Sequence, residues 1–171
     1  MSIDVKSIAQ DFVNRLKEMD RGELAALKRN AGNGIEQSRG VMGVFYSIIP
    51  RERFGKEKEE VFFLLSTLFA INPVNSDDRN LGSTIKKLQR DFSENTLDAR
   101  LTALLDESIN RDFEAVSHRL RQFVLMAKGK NYGINWCQLL QDLYWWDASG
   151  RYVQKSWARA YFGKGEVEQI N

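Results

Sequence analysis

Apolar residues recur every three or four positions along nearly the whole chain, and only Pro50 and Pro73 interrupt it. This pattern predicts an all-α fold of about eight helices. Ile3 to Met19 places Ile3, Val5, Ile8, Phe12, Val13 and Leu16 on one side, with Ser2 as the expected N-cap. Asp20 then opens a second helix, DRGELAALKRNAG, in which Asp20 and Glu23 have the spacing of a capping box and Gly32-Asn33-Gly34 ends the run. Residues 35–49 read as one buried helix, with Val41, Val44, Phe45, Ile48 and Ile49 inward and Gly40 and Gly43 permitting close packing. Pro50 stops it. The segment EEVFFLLSTLFAI is apolar nearly all round, which assigns it to the centre of a bundle, and Asn72-Pro73 closes it.

Past the polar stretch VNSDDRN the same periodicity resumes. Leu81 to Phe92 and Thr96 to Asp106 each turn leucines inward. Asn110 is the expected cap of a helix that runs to Ala127 and ends at Gly129. Asn135 and Gln138 form a second capping-box pattern ahead of a helix rich in tryptophan, and Val153, Trp157 and Tyr161 stand four apart in the last one. The resulting expectation is two small helical bundles sharing an interface: an N-terminal subdomain over 1–75, a C-terminal one over 80–163, and a flexible tail over 164–171.

Composition narrows the class. A chain of 171 residues with 25 Lys+Arg against 23 Asp+Glu carries a net charge of only +2, so any attraction to nucleic acid must come from a local face. The single cysteine, Cys137, forms no internal disulfide, and MSIDVKSIAQ has no signal-peptide pattern, which together point to a reducing cytoplasm. The apolar runs are too short for a bilayer span.

Catalytic motifs are missing: the chain has no phosphate-binding glycine loop, GxSxG, HExxH or CxxC pattern. His118 and Cys137 are the one conceivable dyad, but Cys137 falls in the capped first turn of an apolar helix, which suits a packed thiol better. Asp77 and Asp78 read as solvated loop acids, and no metal or cofactor is expected. Trp145 and Trp146 have the chemistry to stack on unpaired bases, although a tryptophan pair at the end of an amphipathic helix more often closes a core or an interface.

One segment departs from the balanced background. No acidic residue occurs between Glu114 and Asp142, while Arg119, Arg121, Lys128 and Lys130 fall inside that window. Arg119 and Arg121 lie about 200° apart around a helix, so they flank a face and do not share a stripe. Lys28 and Arg29 form a second basic pair, for which the negative end of their own helix is a sufficient structural reason. Arg51 and Arg53 add charge after Pro50. Charge pattern alone leaves open whether these groups meet phosphates, water or carboxylates of other helices.

DRGELAALKRNAG, Leu81-Gly82, LDARLTALLD, HRLRQFVLMAKGKNYGINWCQLLQDLYWWD and VQKSWARAYF, in that order, resemble the small subunit of the type I-E CRISPR Cascade complex, the CasB family. The resemblance implies an all-helical, non-enzymatic subunit, present in two copies along the crRNA-guided assembly and touching its backbone and large subunits. It also implies basic surface residues that help to hold the displaced non-target strand of the R-loop, with cleavage left to a separate helicase-nuclease. Lys28, Arg29, Arg119 and Arg121 align with the family's basic surface; Lys128, Lys130, Arg51 and Arg53 are added from local charge. The alternative expectation is a structural adaptor that makes only protein–protein contacts.

Overall fold

The computed structural model of the chain describes residues 3–52 and 54–164. Among them are nine α-helices: α1 (Val5–Lys17), α2 (Arg21–Arg29), α3 (Met42–Ile48), α4 (Lys56–Ile71), α5 (Leu81–Lys87), α6 (Glu94–Leu105), α7 (Phe113–Gly129), α8 (Trp136–Tyr144) and α9 (Tyr152–Phe162). Short 3-10 turns precede α3, follow α5 and lead into α9. The all-α reading holds, and no described helix is long and apolar enough to cross a membrane.

Helix α4 occupies the centre that its all-round hydrophobicity predicts, with α2, α7 and α8 packed against it. Every residue from Val61 to Ile71 is buried. Its two hydroxyls do not violate the apolar setting: Ser66 donates to the Phe62 carbonyl at 2.8 Å and Thr67 to the Leu64 carbonyl at 2.9 Å. Edge-to-face rings carry the core outward, Phe62 to Phe12 of α1 at 5.0 Å, Phe63 to Phe45 of α3 at 5.2 Å and Phe69 to Trp136 of α8 at 5.7 Å. Helix α1 also packs on α8, so residues from both sides of the VNSDDRN stretch join one continuous hydrophobic cluster.

Two glycines fix close approaches. A Cβ on Gly82 would lie 2.4 Å from the Trp157 carbonyl oxygen, so α5 and α9 meet backbone to backbone there. A Cβ on Gly133 would lie 2.5 Å from the Asn75 carbonyl oxygen, where the connection between α4 and α5 pairs with the loop before α8. Ile134 N–H donates to the Val74 carbonyl and Ser76 N–H to that of Ile134, which ties the two connections together.

Several local expectations are corrected. Helix α1 is capped by Asp4, which accepts from Ser7 N–H, and Ser2 lies outside the described residues. Residues 35–49 do not form one helix: Gly40 takes φ +73° and breaks it, and neither Gly40 nor Gly43 has a neighbour within 4 Å of its missing Cβ. Asp112, not Asn110, caps α7, since its carboxylate accepts from Ala115 N–H at 3.0 Å. Gly129 remains helical; the left-handed residue that ends α7 is Asn131, φ 62°, with Tyr132 N–H bonded to the Ala127 carbonyl and Asn131 N–H to that of Lys128. That is a Schellman end built on asparagine. The Asp20/Glu23 capping box forms in full, whereas at Asn135 only half of one does, because the Gln138 side chain turns to Asp142 instead.

Candidate nucleic-acid interface

Helix α7 is held by its buried stripe, Val116, Leu120, Phe123, Val124 and Ala127, against α4, α5 and α6. Its exposed side carries His118, Arg121, Leu125 and Lys128 at helical spacing. Arg121 and Lys128 are seven residues apart, hence on one face and separated by about 10 Å along the axis. Across from this face stands the C-terminal end of α2. Asn30 anchors it: its amide donates to the Ala26 carbonyl at 2.9 Å and the Arg39 carbonyl at 3.0 Å, while its oxygen accepts from Arg39 N–H. The turn so fixed puts Gly32 in the left-handed region, φ +96°, under the Arg121 guanidinium, with Nη1 3.3 Å from where a Cβ would stand.

The same juxtaposition brings Lys28 and Lys128 side by side. The neighbouring Lys28 ammonium pushes the Lys128 pKa below the ordinary lysine range, because a second positive charge close by disfavours the charged form. Both residues are exposed, and no ion pair or hydrogen bond to a carboxylate engages Lys28, Arg121 or Lys128 among the described residues. Two helix C-termini, each favouring cations, thus converge on a ridge of like charge. Such a ridge suits a polyanion that passes over it.

The other sequence-predicted residues distribute differently. Arg119 points to the opposite side of α7, where its Nε donates to Glu107 Oε2 at 3.0 Å. Lys130 lies 3.8 Å from Asp91 Oδ1 and over the Phe92 ring. Acids distant in sequence therefore partly satisfy the acid-free window. Arg29 is exposed beside Lys28, Arg51 is exposed in the bend after α3, and Arg53 lies outside the described residues. Leu125, 46% exposed between Arg121 and Lys128, is the ridge residue that charge counting misses; its exposure breaks the apolar-inward rule of the helix around it.

The other candidates become structural. Cys137 is half-buried, and burial pushes its thiol pKa up, opposed by the Gln141 amide. Asp78 accepts from Thr84 Oγ1 at 2.7 Å and pairs with Lys87 at 2.9 Å, and no cluster of metal-ligating side chains occurs among the described residues. The tryptophan pair divides: Trp146 is buried, donates to the Glu107 carbonyl and sits edge-on to Trp157, while Trp145 is exposed.

Comparison with known proteins agrees with this fold. A family profile described as CRISPR-associated protein Cse2 matches residues 23–162. A CRISPR-associated protein Cse2 of Thermus thermophilus is 31% identical over 116 residues, 67% of this chain and 63% of that protein's own length, just under two thirds. The crystal structure of a Cse2-family protein from Thermus thermophilus superposes with a TM-score of 0.78 at 23% identity, covering 91% of this chain and 98% of that one. M. ruber CasB gives 0.73 at 26% identity, covering 95% and 98%. A chain from a structure described as a CRISPR RNA-guided surveillance complex gives 0.77 at 20%, covering 92% and 93%. The chain belongs to the CRISPR-associated Cse2 family.

Proposed function

We propose that this protein is the non-catalytic small subunit of a crRNA-guided Cascade assembly, working in the cytoplasm beside the backbone and large subunits and a second copy of itself. There it holds the displaced non-target DNA strand without reading its sequence. Membership of the Cse2 family and a fold shared with a chain of a CRISPR RNA-guided surveillance complex support the assembly role. The observation that carries the DNA role is the ridge: Lys28 and Lys128 neighbour each other from two helices, Arg121 lies over the turn that follows Lys28, and no carboxylate pairs with them among the described residues. Neighbouring like charges repel, and a phosphate passing between the ammonium groups turns that repulsion into attraction. Arg29 extends the ridge, and Leu125 offers an apolar surface to an unstacked base.

Function follows from the energetics of strand exchange. Replacing a DNA duplex by an RNA–DNA hybrid is nearly balanced, so a few sequence-independent backbone contacts to the expelled strand tip it toward the open state. With Lys28, Arg121 and Lys128 neutralising about three phosphates, single-strand affinity falls with the logarithm of salt concentration with a slope of about −2. Fluorescence anisotropy with labelled oligonucleotides of varied sequence tests this. The expected result is a sequence-independent affinity, a slope of that size, and its loss in Lys28→Glu/Lys128→Glu. A slope near zero, or an unchanged variant, overturns the DNA role and leaves a protein–protein adaptor.

A further inference from the structure

The N-terminal end of α7 borders a feature of opposite sign. A cleft of about 780 Å³ opens between the loop after α2, the start of α4 and the junction of α6 with α7. Its floor is apolar, formed by Ile109, buried, and Phe113, half-buried. Its walls carry Glu57, Glu60 and Glu114, none of which makes an ion pair among the described residues. The lysine at the rim, Lys56, turns to Glu36 at 2.8 Å.

Helix-end electrostatics account for Glu57 and Glu114, which occupy the first turns of α4 and α7. They do not account for Glu60, which lies beyond the first turn. One Glu60 oxygen accepts from Ile35 N–H at 3.2 Å. Over Gly34 the Glu60 carboxylate and the Gln37 amide oxygen converge, at 3.3 and 2.9 Å from where a Cβ would stand, so several acceptors share one small space. Burial pushes the Glu60 pKa up, with lesser repulsion from Glu36 and Glu59, and the Ile35 N–H and the Lys56 charge oppose it only in part. Independently, Ser117 lines the same cleft, is 7% exposed, and its Oγ has no hydrogen-bond partner. A buried hydroxyl left unpaired is uncommon and marks a place where a polar group is expected.

We infer that this cleft receives an arginine- or lysine-bearing segment of another protein subunit of the assembly, its cationic head between Glu60 and Glu114 and its aliphatic stem on Ile109 and Phe113. A guanidinium supplies what the site lacks: several donors in one plane for the Glu60 and Gln37 oxygens, a donor for Ser117 Oγ, and one positive charge. The long methylene stem matches the apolar floor, and carboxylates exclude a nucleic-acid occupant. This inference rests on the proposed membership of a multi-subunit complex and adds the surface through which one of the contacts is made.

Two measurements on the complex reconstituted from purified subunits and guide RNA test it. With a benzophenone photo-crosslinker in place of Asn33, on the exposed rim, the adduct is expected in a different protein subunit, on a peptide containing arginine or lysine. In the second, the Glu60→Gln/Glu114→Gln variant is titrated into a complex lacking this subunit. At least a tenfold rise in the concentration for half-maximal incorporation is expected, with single-strand DNA affinity unchanged and with Glu36→Gln, at the outer Lys56 pair, behaving as the unaltered chain. Adducts only with nucleic acid, with a second copy, or with a segment lacking basic residues overturn the inference, as does undiminished incorporation of a folded double variant. If that variant melts before assembly, the crosslink in the otherwise unaltered chain decides. An unaltered chain that never enters the complex overturns the assembly reading too; one that enters while the cleft results fail overturns the cleft alone.

Discussion

Asp142 is a buried carboxylate on α8, and its removal makes a quantitative prediction. It is 8% exposed on α8, receives the Trp157 indole N–H at 2.8 Å on one oxygen and the Gln138 amide at 2.9 Å on the other, and has no cation beside it among the described residues. Burial raises its pKa from 3.8 to about 6, and the two hydrogen bonds only partly oppose this. The folded form therefore holds the proton more tightly than the unfolded chain does. Stabilisation from the proton is fully present below pH 3.8 and is lost as pH rises through about 6. The gap corresponds to about 3 kcal/mol. Above pH 6 the native protein carries this cost; Asp142→Asn does not, provided the Gln138 amide turns its oxygen to the new NH2 group. Urea unfolding of both proteins at intervals from pH 4 to pH 7.5 isolates the group, because every other titration cancels in the difference. The stability of Asp142→Asn relative to the unaltered chain is expected to climb by about 2.5 kcal/mol across that window, levelling off near its top, or by roughly 5–10 °C in melting temperature for a chain of this size. A difference independent of pH refutes the reasoning.

Two glycines give opposite responses to the same substitution. Gly82→Ala forces its Cβ into the Trp157 backbone, which cannot rotate away, and is expected to cost about 1–3 kcal/mol or to separate α5 from α9, as read by thermal melting. Gly129→Ala meets open space at the end of α7 and is expected to gain up to about 1 kcal/mol by the same measurement. The two arginines of α7 divide as well: Arg119→Gln breaks a partly exposed pair with Glu107, costing about 1 kcal/mol or less and leaving DNA affinity unchanged, whereas Arg121→Gln reduces the salt slope by about 0.7. Finally, alkylation of Cys137 at pH 8 is expected to run slower in the folded protein than in urea, since burial shields the thiol and disfavours its thiolate; an equal rate refutes this.

What the sequence discloses about this fold follows from how local each signal is. The central position of α4 is legible because eleven consecutive buried residues leave no polar face to place in water. The Asp20/Glu23 box is legible because both partners lie within one turn. The break at Gly40 is not, since apolar residues on either side keep helical spacing while the backbone between them departs from it. The caps of α1 and α7 fall two residues from their expected places because several small polar residues compete and the winning geometry depends on the packed helix. For the site the limit is sharper. Arg119 and Arg121 are two residues apart and equally basic in sequence, yet one is drawn to Glu107, twelve positions earlier, and the other lies over Gly32, in a turn far away along the chain. Only tertiary contact separates them, as it does Trp145 from Trp146.

The near-neutral net charge, which argues against a nucleic-acid role when counted over the chain, takes a different meaning on the surface of α7. Glu114, in the first turn of α7, and Lys128, in its last, are separated by about 21 Å along the axis, and each sits where the helix dipole favours its sign. The same arrangement that stabilises the helix gives its surroundings an acidic end, joined to Glu57 and Glu60, and a basic end, joined to Lys28. On the two proposed readings, a polyanion is drawn to one end and kept from the other, and a basic protein segment experiences the reverse, so that two partners of opposite charge need not compete. A uniformly basic surface would attract nucleic acid to both ends and lose that discrimination. Charge balance in this chain is thus compatible with strand binding, and the useful quantity is the separation of opposite charges along α7 and not their sum.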